Sequence, residues 1–118
     1  MHPSPLTRPF ILASQSPRRA ALLRQIGLAF HALPAHLDEA PPIAGEEVRE
    51  WAMRIAAEKA AATAHLLPAD EKTLILGADT VVVVATTEPG TPCLQGQPVQ
   101  VLGKPRDADD ARRMLEML

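Results

Sequence analysis

Short apolar runs separated by polar turns set the pattern of the first third of the chain. Phe10-Ile11-Leu12-Ala13 predicts a buried strand, Ser14-Gln15-Ser16 a polar turn, and Pro17–Ile26 a helix. Ser16 is a good N-cap, because its hydroxyl can accept from a free amide of the first turn. Pro17 falls at the first helical position, where a missing N–H costs nothing, and Gly27 is a natural C-terminal stop. Phe30–Leu33 predicts a second short strand, followed by a loop, Pro34–Gly45, that carries Asp38 and Glu39. A second helix is predicted over Glu46–Leu66, where Val48, Ala52, Ile55, Lys59, Ala62 and Leu66 recur at steps of three and four with Trp51 alongside. Lys59 lies on that apolar stripe, so it either snorkels outward or meets an anion.

The second half begins with Thr73–Leu76, then Gly77-Ala78-Asp79-Thr80, then the valines of 81–84. Leu-Ile-Leu followed by four valines predicts a strand buried on both faces, interrupted by Asp79. Residues 85–98 read as a long polar connection before a strand at Val99–Leu102, so 81–102 is a hairpin with an extended loop. Gly103-Lys104-Pro105 leads into a last helix, capped by Asp107 and favoured at its positive end by Asp109 and Asp110. Ala111, Met114, Leu115 and Leu118 share one face of that helix. This face and the buried strand need a covering layer, expected from further sequence, a partner or a second copy.

Composition narrows the class. At 118 residues the chain is at most one domain, with a loose leader over residues 1–9, and 47% hydrophobic residues are enough for an ordinary core. A net charge of −2 argues against a broad nucleic-acid-binding face, since such domains are usually basic. No apolar run approaches the length that spans a bilayer, and the first nine residues lack the apolar centre of a signal peptide, so a cytoplasmic protein is expected. Cys93 is the only cysteine, which excludes an internal disulfide. Twelve prolines cluster in the segments read as loops.

The candidate chemistry starts at Arg18 and Arg19. They place two cations at the positive end of a helix dipole, where carboxylates would be preferred. They are either solvated surface arginines or part of an anion site built from helix amides, hydroxyls and guanidinium groups, with phosphate the natural anion. Asp79 is either a turn aspartate capping local amides or a general base or metal ligand held at a strand end. Lys59 and Lys104 are either surface lysines or anion ligands. Asp38 and Glu39 either solvate a loop or offer oxygen ligands to a divalent ion. The four histidines show no metal-ligand spacing, and neither a P-loop nor a dinucleotide-binding glycine pattern is present.

Together, Leu12-Ala13-Ser14-Gln15-Ser16-Pro17-Arg18-Arg19, Ala57-Glu58-Lys59-Ala60, Gly77-Ala78-Asp79-Thr80-Val81-Val82 and Gly103-Lys104-Pro105, followed by Asp107 and the Ala111…Met114-Leu115 helix, resemble the Maf family of nucleoside triphosphate pyrophosphatases. The resemblance covers about residues 10–118 and departs from the family in a longer 85–98 loop. It implies an α/β fold, a mixed sheet flanked by helices in a two-lobed, ITPase-like arrangement, here truncated to its N-terminal part. It implies cleavage of a nucleoside triphosphate to monophosphate and pyrophosphate with a divalent cation, Mg²⁺ or Mn²⁺. Carried over residue by residue, Asp79 matches the base that activates water. Ser14, Arg18, Arg19, Lys59 and Lys104 match positions facing the phosphates. Glu39 matches an acidic position near the metal, to which Asp79 also belongs. Arg18 and Thr80 match the branch that resembles dTTP/UTP pyrophosphatases, rather than the branch with Trp and Gln there that prefers 7-methyl-GTP. The resemblance implies a nucleotide substrate as partner; charge and hydropathy lead to no nucleic acid and no membrane, and the apolar face of the last helix to a homodimer as a further reading. The alternative is a catalytically weak nucleotide-binding module with a regulatory role in septum formation.

Overall fold

The computed structural model describes residues 8–70, 72–103 and 107–118. Strand β1 (Phe10–Leu12) lies at the centre of a three-stranded parallel sheet in the order β2-β1-β3. Apolar residues on both faces suit such a strand, and Leu12 is fully buried. Helix α1 (Pro17–Gln25) carries the chain to β2 (His31–Ala32), which pairs parallel to β1 with Ile11 opposite His31. Ser16 caps α1 as its sequence predicts. At the other end Gly27 takes φ +79°, its N–H donates to Arg24 O, and the N–H of Leu28 donates to Leu23 O. That double bond is a Schellman motif, which needs the left-handed residue that glycine supplies. Strand β3 (Leu74–Leu76) pairs on the other side of β1, with Ile11 opposite Ile75. Of the expected leader, residues 1–7 lie outside the described residues. Arg8 and Pro9 are already tied in: Arg8 Nε donates to Lys72 O at 2.7 Å, and Pro9 O accepts from Leu74 N at 2.9 Å.

Helix α2 (Val48–Ala64) is shorter than the periodicity predicts. Its buried residues are Val48, Trp51, Ile55 and Thr63. Leu66, expected on the apolar stripe, is exposed, because the helix has ended and the Leu66 N–H turns back to Thr63 O. Thr63 takes the place on the buried line and donates its hydroxyl to Leu33 O at 2.8 Å. A buried hydroxyl is tolerated there because it is paired.

Strands β4 (Val82–Ala85), β5 (Cys93–Leu94) and β6 (Gln97–Leu102) form a separate antiparallel sheet in the order β4-β6-β5. This corrects two expectations. Leu74–Leu76 and the valines belong to different sheets, so Asp79 lies in the link between strands rather than inside one. Among the described residues strand β4 pairs only with β6, and Val82 is 47% exposed, so the valines are not buried on both faces. The polar connection at 85–98 also holds more structure than predicted. Gln95 and Gly96 both take positive φ, +52° and +80°, which joins β5 to β6 through a two-residue turn of the I′ kind.

Helix α3 (Ala108–Glu116) is capped by Asp107, whose Oδ1 accepts from Asp110 N at 2.8 Å. Asp110 is buried, and its carboxylate is matched by Arg113 Nη2 at 2.8 Å. Val82, Leu102, Ala111, Met114 and Leu115 line an apolar groove of about 310 Å³, with Leu115 and Leu118 largely exposed.

Among the described residues, three helices with parallel and antiparallel strands make the fold α/β, as expected, though the strands lie in two sheets rather than one. The contacts divide the chain into two units. One comprises the residues through Glu39 with Arg54–Ala78, and the other Ala40–Met53 with Asp79–Leu118. Among the described residues, no helix is long and apolar enough to cross a membrane.

Candidate nucleotide-phosphate site

In the first unit the chain leaves β1 through Ala13 into Ser14, a buried polar residue. Ser14 Oγ accepts from the Ser16 N–H at 3.0 Å and from Arg19 Nη1 at 3.3 Å. Ser16 Oγ accepts from the Arg19 N–H at 3.2 Å. One serine thus shapes the turn and anchors a guanidinium, while the other caps the helix. The turn is short and follows a central strand, so its geometry is fixed by β1 on one side and α1 on the other. No acidic residue occupies the first turn of α1, and Arg18 is exposed. The result is a helix start carrying two arginines and two hydroxyls, with no carboxylate of its own first turn to neutralise it. A helix start of this kind favours anions. Beside it Leu12, Arg19, Leu22, Leu23, Leu76 and Ala78 line an apolar cavity of about 170 Å³.

Lys59 is brought to the end of β3. Its Nζ lies 3.5 Å from Ala78 O and 3.2 Å from Glu39 Oε1. Of the two outcomes open to a lysine on an apolar stripe, Lys59 takes the second and meets an anion, here a carboxylate of the chain itself. The approach that allows this depends on Gly77. A Cβ on Gly77 would run into the carbonyl oxygen of Ala56 and come within 3.0 Å of Ala60 N. Residue 77 therefore has no room for a side chain where β3 ends against α2. Gly77 is a packing residue as well as part of the Gly77-Ala78-Asp79-Thr80 segment. The available signal was the facing pair of small residues, Ala56 and Ala60, one helical turn apart.

The second unit holds Asp79 and Thr80, in the link between β3 and β4. Asp79 is half-buried and Thr80 exposed, and neither residue is without an interaction partner. Lys104 lies outside the described residues. Among the described residues, no three of His, Cys, Asp and Glu gather as a metal-binding group. Glu39 and Asp79 are nevertheless hard oxygen donors. That chemistry suits Mg²⁺ or Mn²⁺, which can take one or two carboxylates and complete their shells with water and substrate phosphate.

Curated proteins similar to this chain include several named dTTP/UTP pyrophosphatase. A dTTP/UTP pyrophosphatase of Anaeromyxobacter dehalogenans (strain 2CP-1 / ATCC BAA-258) is 48% identical over 108 residues, covering 92% of this chain and 45% of the relative. A dTTP/UTP pyrophosphatase of Pseudoalteromonas atlantica is 47% identical over 109 residues, covering 92% of this chain and 50% of the relative. A third of that name, from Syntrophus aciditrophicus, is 42% identical over 113 residues, covering 96% and 47%. The chain spans about half the length of the curated relatives it matches. The family described as Maf-like protein matches residues 9–118, and this chain belongs to it.

Proposed function

We propose that the chain acts as a hydrolase that cleaves dTTP or UTP to the monophosphate and pyrophosphate. The observation that carries this reading is the Ser14–Ser16–Arg19 turn, a hydrogen-bonded, cation-bearing helix start at the end of a central strand. The relatives' shared name supports the substrate and favours an enzyme over the regulatory module. Ser14, Arg18, Arg19, Lys59 and Lys104 take the phosphates, where charge accumulates as a P–O bond breaks. Asp79 takes the proton of the attacking water. Arg18 and Thr80 select the base. Glu39 and Asp79 would hold the divalent cation, which when bound neutralises phosphate charge and polarises the scissile bond. A homodimer and a cytoplasmic location, where nucleoside triphosphates are held, belong to the same reading.

The test of the phosphate assignment is Arg19→Met. The substitution keeps the stem and removes the guanidinium. A hydrogen bond to a charged group contributes about 1.5–3 kcal/mol, so calorimetric titration with inorganic pyrophosphate is expected to show affinity lower by roughly ten- to a hundredfold. Unchanged affinity would remove Arg19 from the site.

A further inference from the structure

Two residues given separate tasks in that reading hold one another. Lys59 Nζ and Glu39 Oε1 are 3.2 Å apart, with the side chains 24% and 45% exposed. The neighbouring Asp38 turns instead to His36, at 3.1 Å, with its side chain 95% exposed. Of these two neighbouring acids, it is Glu39 that lies beside the ammonium. The two partners differ in how they are held. Lys59 stands on α2, a helix of 17 residues, with its ammonium also directed at Ala78 O. Glu39 stands on irregular backbone between β2 and α2 and is the more exposed.

A phosphate oxygen approaching Lys59 meets this carboxylate. An ammonium offers three donors, and here some already point at acceptors of the chain. Phosphate and carboxylate also repel one another at close range. The carboxylate on irregular backbone is the one able to give way.

We infer that Glu39 is an internal competitor for the phosphate position on Lys59, so that binding must open the Lys59–Glu39 ion pair and Glu39 sets how tightly the site holds phosphate. This rests on the reading of Lys59 as a phosphate ligand. It adds to that reading a device that weakens binding. The carboxylate fills the cation's anion position when phosphate is absent and yields it at a cost when phosphate arrives.

The experiment is calorimetric titration of the full chain with inorganic pyrophosphate, in chelator and at low salt. It compares the unsubstituted protein with Glu39→Gln, Lys59→Met, the double variant and Glu50→Gln. Glu50 is an exposed acid near the start of the same helix and controls for net charge. Thermal unfolding verifies that each variant is folded. Glu39→Gln is expected to bind about two- to fivefold tighter, the span expected of a partly exposed pair. Glu50→Gln should bind like the unsubstituted chain. Lys59→Met should bind at least roughly tenfold more weakly. On the Lys59→Met background, Glu39→Gln should add little. If Glu39→Gln binds equally or more weakly while Lys59→Met still loses affinity, the competition is overturned and the phosphate role of Lys59 stands. If Lys59→Met binds as well as the unsubstituted chain, the reading of Lys59 falls, and the inference with it.

Discussion

Gly77→Ala is expected to destabilise the chain by about 1–3 kcal/mol, the usual cost of forcing extra volume into a packed contact. The added Cβ meets backbone, the Ala56 carbonyl oxygen and Ala60 N, and not the movable end of a side chain. Relief requires β3 to withdraw from α2. That would also draw Ala78 O away from Lys59 Nζ, so the loss of stability should be accompanied by a change at a proposed site residue. Thermal denaturation should show a midpoint lower by roughly 4 °C or more per kcal/mol for a chain of this size. Gly103→Ala is the matched control. Nothing lies within 4 Å of a Cβ there, and its effect should stay within about 0.5 kcal/mol. Equal stability of Gly77→Ala and the unsubstituted chain would mean that β3 and α2 do not approach as described.

The second large effect is on chemistry. Asp79→Asn preserves size and one acceptor oxygen but removes the charge that makes a carboxylate a base. A positioned general base contributes typically about 10²–10⁴ in rate. Steady-state hydrolysis of dTTP should therefore fall by at least roughly a hundredfold in kcat, while calorimetric affinity for the nucleotide, measured in chelator, changes far less. Thermal unfolding verifies that the variant is folded. Equal rates in the two proteins would remove Asp79 from its proposed role.

The parts of this molecule that are legible in the sequence are those decided within a few residues. The cap of α1 by Ser16, the stop at Gly27 and the cap of α3 by Asp107 are local hydrogen-bond problems with local solutions. The Ser14–Ser16–Arg19 turn is legible for the same reason. What escapes is long-range pairing. An apolar pattern from Leu74 to Val84, interrupted at Asp79, is compatible with one buried strand. Only the partners, β1 for Leu74–Leu76 and β6 for Val82–Ala85, divide it between two sheets. Periodicity likewise carries the stripe of α2 on to Leu66, whereas the helix stops at Ala64 and buries Thr63. The turn at Gln95-Gly96 goes unseen because glutamine is an unusual first residue for φ above zero. At the site, Lys59 and Glu39 are both recognisable as candidates. Their contact is not, since 20 positions separate them and a loop decides where the carboxylate arrives.

The central claim is that this chain, folded around the Ser14–Arg19 turn, works on the bond between the α- and β-phosphates of dTTP. The direct measurement is ³¹P NMR of dTTP incubated with the full chain and Mg²⁺ or Mn²⁺. The account predicts resonances of dTMP and inorganic pyrophosphate growing in equal amounts. Growth of dTDP and orthophosphate, or an unchanged dTTP spectrum from folded chain at saturating nucleotide, would contradict it.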